Sequence, residues 1–162
     1  MKKKKIIRII LWLIVIAVAA VIFYFSAQNA TESSKTSGGF LRIILGMFPG
    51  FNSMTRAAQT DMIESMMTVI RKCAHFSIYA FLGFWLLFLV RQYRPKHAIP
   101  ITVASAFLYA ITDELHQHFV PGRSCQIKDV FIDTAGALTG GLVALLLVAI
   151  WRKVRKIWSR KK

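Results

Sequence analysis

Acidic residues are scarce in this chain: seven Asp and Glu stand against twenty-two Lys and Arg, a formal net charge of +15 over 162 residues. Cysteine is scarcer still. The two present, Cys73 and Cys125, form no C-x-x-C pair, so the usual signs of a zinc site or a dithiol redox centre are missing. There is no H-E-x-x-H, and no A-x-A cleavage site follows the first apolar run. That run, Ile9 to Phe25, is longer than a signal-peptide core and reads as a retained anchor. No inverted repeat is evident either, which argues against a transporter. What the chain does have is apolar sequence, 56% of it hydrophobic and much of it in unbroken runs. A soluble basic protein does not carry such runs, so no nucleic-acid partner is expected. The excess positive charge suits flanks resting on an anionic membrane surface.

A helix crossing the hydrocarbon core needs about 20 residues. Four segments meet that length, at about 6–25, 73–90, 98–119 and 129–151. The expectation is a single all-α polytopic membrane domain over residues 1–162 with four transmembrane helices. Orientation follows from the Lys and Arg residues. With the N-terminus inside, segments 1–8, 91–97 and 152–162 face the cytoplasm and hold fifteen of the twenty-two basic residues. The remaining seven basic residues and all seven acidic ones (Glu32, Asp61, Glu64, Asp113, Glu114, Asp129, Asp133) then fall in the outer half, which is formally neutral. Both termini are therefore expected inside. Most of Trp12, Trp85, Trp151 and Trp158 lie near the cytoplasmic ends, as interfacial anchors do, with Trp12 somewhat deep.

The outer segment, 26–72, opens with a Ser-, Thr-, Asn- and Gly-rich stretch, Gln28 to Gly39, expected to begin as a loop. Phe40 to Phe48 is apolar but too short to cross, and Pro49-Gly50 is expected to end it with a turn. From Met54 to Ile70 apolar residues follow helical spacing. This is an amphipathic helix that lies over the helix ends or runs straight into the second span. Its methionines suit adaptable packing.

Three outer helix ends are unusually polar. The second span carries Arg71, then Lys72, His75 and Tyr79 at i, i+3, i+7. The third carries Tyr109, Asp113 and Gln117 at i, i+4, i+8, with Glu114 and His118 on an adjoining face. The fourth carries Asp129 and Asp133, continuing into Gly136-x-x-x-Gly140, a spacing that permits close helix packing. The loop between them adds Pro121-Gly122, Arg123 and Ser124. Asp113 lies roughly 9 Å below Phe119 at the helical rise, so it sits within the outer leaflet. Ionisable groups at that depth usually face a bundle interior or a wet cavity and have partners. Arg71, Lys72 and Arg123 supply the counter-charges. Salt bridges between helix ends also serve assembly alone, but three such ends meeting on one face point to a pocket. Cys73 and Cys125 both map to the outer half, where free, buried thiols are a simpler expectation than a disulfide.

Asp113-Glu114-Leu115-His116-Gln117-His118-Phe119-Val120-Pro121-Gly122-Arg123, followed by Asp129-Val130, resembles the signature of the VanZ-like membrane proteins. So do Arg71-Lys72-Cys73-Ala74-His75-Phe76 with Tyr79, and the early Phe25-Ser26-Ala27-Gln28. The chain departs at Asp133, where many relatives are expected to carry Asn. The resemblance implies a place in the plasma membrane of a Gram-positive bacterium. It also implies a link to resistance against teicoplanin, a glycopeptide with a lipid tail. It implies no mechanism.

Two readings stay open. In the first, an outward-facing polar pocket binds a lipid headgroup, lipoglycopeptide or lipid-linked cell-wall precursor. Its binding residues are Ser26, Gln28, Arg71, Lys72, Tyr79, Gln117, Arg123, Asp129 and Asp133. In the second, an intramembrane enzyme modifies such a lipid, with Glu114 or Asp113 as general base, His75 as a second acid/base group and Arg123 stabilising negative charge. No cofactor is expected. A metal held by His75, Glu114, His118, Asp129 and Asp133 has no recognised ligand spacing behind it. Ser124 and Cys125 lack a base nearby in sequence.

Overall fold

A computed structural model describes residues 2–159 of the chain; residues 160–162 of the basic C-terminal flank lie outside them. Every regular element among the described residues is helical: α1 (Lys2–Ser26), α2 (Ala30–Leu45), α3 (Pro49–Asn52), α4 (Arg56–Arg91), a 3₁₀ turn (Pro95–His97), α5 (Ala98–His118) and α6 (Ile127–Ser159). Four of them, α1, α4, α5 with its leading turn, and α6, are long and apolar enough to cross a membrane. The protein is a multi-pass membrane protein.

Each long helix reflects its sequence. α1 contains neither Gly nor Pro, and only the stripe Leu11, Val15, Val18, Ile22 and Ser26 is buried. Most of its other apolar residues are exposed, as lipid-facing surface is. α4 is capped by Thr55, whose side chain accepts from the Ala58 N–H, and runs 36 residues without interruption. At the helical rise that is about 54 Å, well beyond the roughly 30 Å hydrocarbon core. Of the two placements open to the Met54–Ile70 segment, the structure shows the continuous one.

α6 packs against α4 backbone to backbone. A methyl group built at Gly136 would fall on the Phe76 carbonyl, one at Gly140 on the Ala80 carbonyl, and one at Gly83 on the Ala137 carbonyl. The Gly-x-x-x-Gly spacing thus serves close approach, where van der Waals contact replaces the hydrophobic drive that lipid does not supply. α5 joins α1 through the Tyr109 hydroxyl, which donates to the Ala19 carbonyl at 2.7 Å. At the basic end, Arg8 donates to the Gln92 carbonyl at 2.9 Å and lies over the Tyr93 ring, and Trp12 donates to the Tyr93 hydroxyl at 3.3 Å.

The segment expected as a loop is helical. Asn29 and Glu32 form a capping box: the Asn29 side chain accepts from the Glu32 N–H, and the Glu32 carboxylate accepts from the Asn29 N–H. α2 stops at Leu45, and Pro49 opens the single turn of α3 instead of closing the apolar stretch. Leu41 and Leu45 of α2, Phe51 of α3 and Ile63 of α4 form one core, so α2 folds back along the first half of α4.

Candidate functional site

The C-terminal ends of α1 and α5, the N-terminal end of α6 and the middle of α4 meet at the acidic end of the bundle. Ser26 is the last residue of α1 and is buried there. Helical periodicity turns Lys72, His75 and Tyr79 of α4 to one side, and Asp113 and Gln117 of α5 and Asp129 and Asp133 of α6 toward them. Burial is nearly complete: Tyr79 and Asp133 are 0% exposed, Glu114 1%, Asp113 3% and Gln117 5%.

At the centre, His75, Asp113 and Asp133 each place a ligating atom within 4.8 Å of the other two. His75 Nδ1 stands 3.5 Å from Asp133 Oδ1, too long for a strong hydrogen bond. Gln117 donates to Asp113 Oδ2 at 3.3 Å. The hydroxyls of Ser26 and Tyr79 lie beside the same carboxyl. Above it, Arg123 donates to Gln117 Oε1 and to Ser33 Oγ, both at 2.8 Å. The chain reaches that geometry through the turn at Gly122, whose φ of 75° is a conformation favouring glycine.

Beside the cluster lies a pocket of about 290 Å³ between the end of α1, the start of α2 and α4. Ser26, Gln28, Ser33, Arg71, His75 and Arg123 form its polar side. Ile22, Phe25, Phe40, Ile70 and Ile78 form an apolar wall. Arg71 donates to Ser34 Oγ at 3.3 Å and otherwise faces this space. Burial, and then the neighbouring Arg71 charge, pull the Arg123 guanidinium below its ordinary value. An anion seated between two half-buried guanidiniums would relieve both effects.

Of the expected binding residues, the structure brings Ser26, Gln28, Arg71 and Arg123 to the pocket, together with His75. Gln117 is one layer removed, linking Arg123 to Asp113. Lys72 and Asp129 do not line the pocket; they pair with each other at 2.5 Å and clamp α4 to α6. Tyr79 lies beneath Asp113, its ring 6.2 Å from that of Tyr109. Glu114 is not one of the trio of His75, Asp113 and Asp133; it accepts the Gln126 N–H at 2.8 Å, holding the loop before α6. His118 is exposed and joins no cluster. The cysteines are free, as expected, but both are exposed rather than buried. Cys73 is two residues from His75, which turns it to the opposite side of α4, and Cys125 stands in the loop before α6.

Ser33, Thr36, Ser37 and Phe40 line the pocket and were not among the expected binding residues. They lie on α2, which composition presents as a loop. The Asn29-x-x-Glu32 capping box was the signal that a helix starts there.

Fold and site together define a helical multi-pass membrane protein with a buried acid–histidine cluster next to a two-sided pocket at one end of its bundle. The profile of the VanZ/LLP1 family matches residues 11–149, most of the chain and all of this site, and the protein belongs to that family. No curated protein and no solved structure matches it.

Proposed function

We propose that this protein binds an anionic, lipid-tailed molecule at the outer leaflet of a bacterial plasma membrane, with both termini in the cytoplasm. The ligand is an envelope lipid, a lipid-linked cell-wall precursor or a lipoglycopeptide such as teicoplanin. The observation that carries this is the pocket's division: two guanidiniums and several hydroxyls on one side, an apolar wall on the other. A phosphate or carboxylate matches the first and an acyl chain the second.

Saturable binding of phosphatidylglycerol, a lipid-linked precursor and teicoplanin would be measured on the purified protein in nanodiscs of zwitterionic lipid. Arg71→Gln should weaken binding of the accepted ligand about 10-fold or more, the loss of a charge-assisted hydrogen bond. No saturable binding of any of the three sinks the proposal. In a teicoplanin-sensitive host, wild type should raise tolerance to teicoplanin more than to vancomycin, and Arg71→Gln at equal abundance should not.

One observation favours catalysis as a second reading. His75 is the member of the buried trio that reaches the pocket, with Asp133 behind its Nδ1. In an enzyme His75 is therefore the acid/base group, and Glu114, turned to the Gln126 N–H, is not. Mass spectrometry of envelope lipids with and without the protein separates the readings: a changed lipid favours chemistry, an unchanged lipidome favours binding.

A further inference from the structure

Two carboxylates and an imidazole share a space too small for three independent solvation shells. Asp133 has no exposed surface, and neither of its oxygens accepts a hydrogen bond of good geometry from the described residues. Asp113 Oδ1 and His75 Nδ1 are likewise buried without such a bond. Four buried polar atoms left open at one point call for something to fill them, because an unsatisfied buried charge is costly.

We propose that His75, Asp113 and Asp133 bind one divalent transition-metal ion of the zinc or manganese class. On an ion with bonds of about 2.1 Å, two ligands at a tetrahedral angle stand roughly 3.4 Å apart, close to the 3.5 Å between His75 Nδ1 and Asp133 Oδ1. The widest separation in the trio, within 4.8 Å, closes with side-chain movements below about 1 Å. Charge agrees: two carboxylates and a neutral imidazole balance a dication. The donor set, one nitrogen and two carboxylate oxygens, suits zinc or manganese better than calcium or magnesium, which take oxygen ligands.

The surroundings have the form of an outer coordination layer. Gln117 holds the second oxygen of Asp113 and is itself held by Arg123, fixing that carboxylate's direction. Three protein ligands leave coordination positions open. Ser26 and His75 line the pocket, so those positions face the space that receives the ligand. An ion here would offer its open coordination positions to an anionic oxygen beside Arg71 and Arg123. Lys72 does not compete for the acids of the trio, because Asp129 holds it.

The test uses the full chain in detergent, in a Cys73→Ser/Cys125→Ser background that removes both exposed thiols as ligands. After loading with Zn²⁺ or Mn²⁺ and gel filtration, elemental analysis should find about one ion per chain. Asp133→Asn and His75→Ala should each lower retention at least 10-fold, while Glu114→Gln, outside the trio, should leave it unchanged. Thermal unfolding of the unsubstituted trio covers the case in which the variants do not fold. Added Zn²⁺ or Mn²⁺ should raise Tm, and a chelator should reverse the rise. Less than stoichiometric retention with no shift in Tm overturns the proposal and leaves a cluster neutralised by shared protons. Retention unaffected by Asp133→Asn overturns it too, placing the ion elsewhere. Ion binding is read without any lipid ligand, so this outcome and that of the pocket's ligand are independent.

Discussion

Asp133 and Asp129 are one helical turn apart on α6 and have opposite circumstances. Asp129 has a partner in Lys72 at 2.5 Å and remains partly accessible. Asp133 is sealed against His75. The first pair is structural: a double-mutant cycle of Lys72→Met and Asp129→Asn should show a coupling of about 1 kcal/mol or less, because water still reaches it. Thermal or denaturant unfolding in detergent measures it. A parallel contrast separates Tyr79 from Arg71. Tyr79 lies outside the pocket, so Tyr79→Phe should leave ligand affinity within about 2-fold. Equal loss of affinity in Tyr79→Phe and Arg71→Gln would mean that the pocket boundary is drawn wrongly.

At the scale of elements, two helices decide the site. α2 contributes Ser33, Thr36, Ser37 and Phe40 to the pocket and is started by the Asn29 cap. Asn29→Ala should cost about 1 kcal/mol of stability and weaken ligand binding through α2 although Asn29 does not line the pocket. Hydrogen exchange over residues 30–37, compared with binding, tests that link. Gly39 is exposed and a methyl group there meets nothing within 4 Å, so Gly39→Ala should stabilise by about 0.5–1 kcal/mol. Gly140 is the opposite case. A Cβ would collide with the Ala80 carbonyl, so Gly140→Val should abolish the peak of folded protein in gel filtration.

The long helices were legible because hydropathy over about 20 residues is a local property that lipid enforces. α2 was not. Its Ser, Thr and Gly residues have weak helix propensity, and the helix is held by its cap and by Leu41 and Leu45 packing on Ile63, a contact made only after the chain folds back.

For the whole molecule, the separation of charge predicts topology. The described basic flanks lie at the bundle end opposite the acidic cluster. If that end is cytoplasmic, a membrane-impermeant maleimide should label Cys125 on intact cells in a Cys73→Ser background, since Cys125 is free and exposed. Tyr93→Cys, with both native cysteines replaced by Ser, should label only after permeabilisation. The reverse pattern would turn the protein over and place the pocket in the inner leaflet.

Four spans, the concentration of acids at one end and the identity of the polar residues there follow from the sequence alone, because length, hydropathy and i, i+4 spacing need no partner. Which of those residues meet was decided by packing. Successive residues on a helix point about 100° apart, so Asp113 and Glu114 can be told apart only by the rotation of α5 against its neighbours. The close contact of α4 and α6 at Gly83, Gly136 and Gly140 sets the companion faces: it brings His75 to Asp133 and Lys72 to Asp129, while Asp113 comes to the trio and Glu114 goes to the loop.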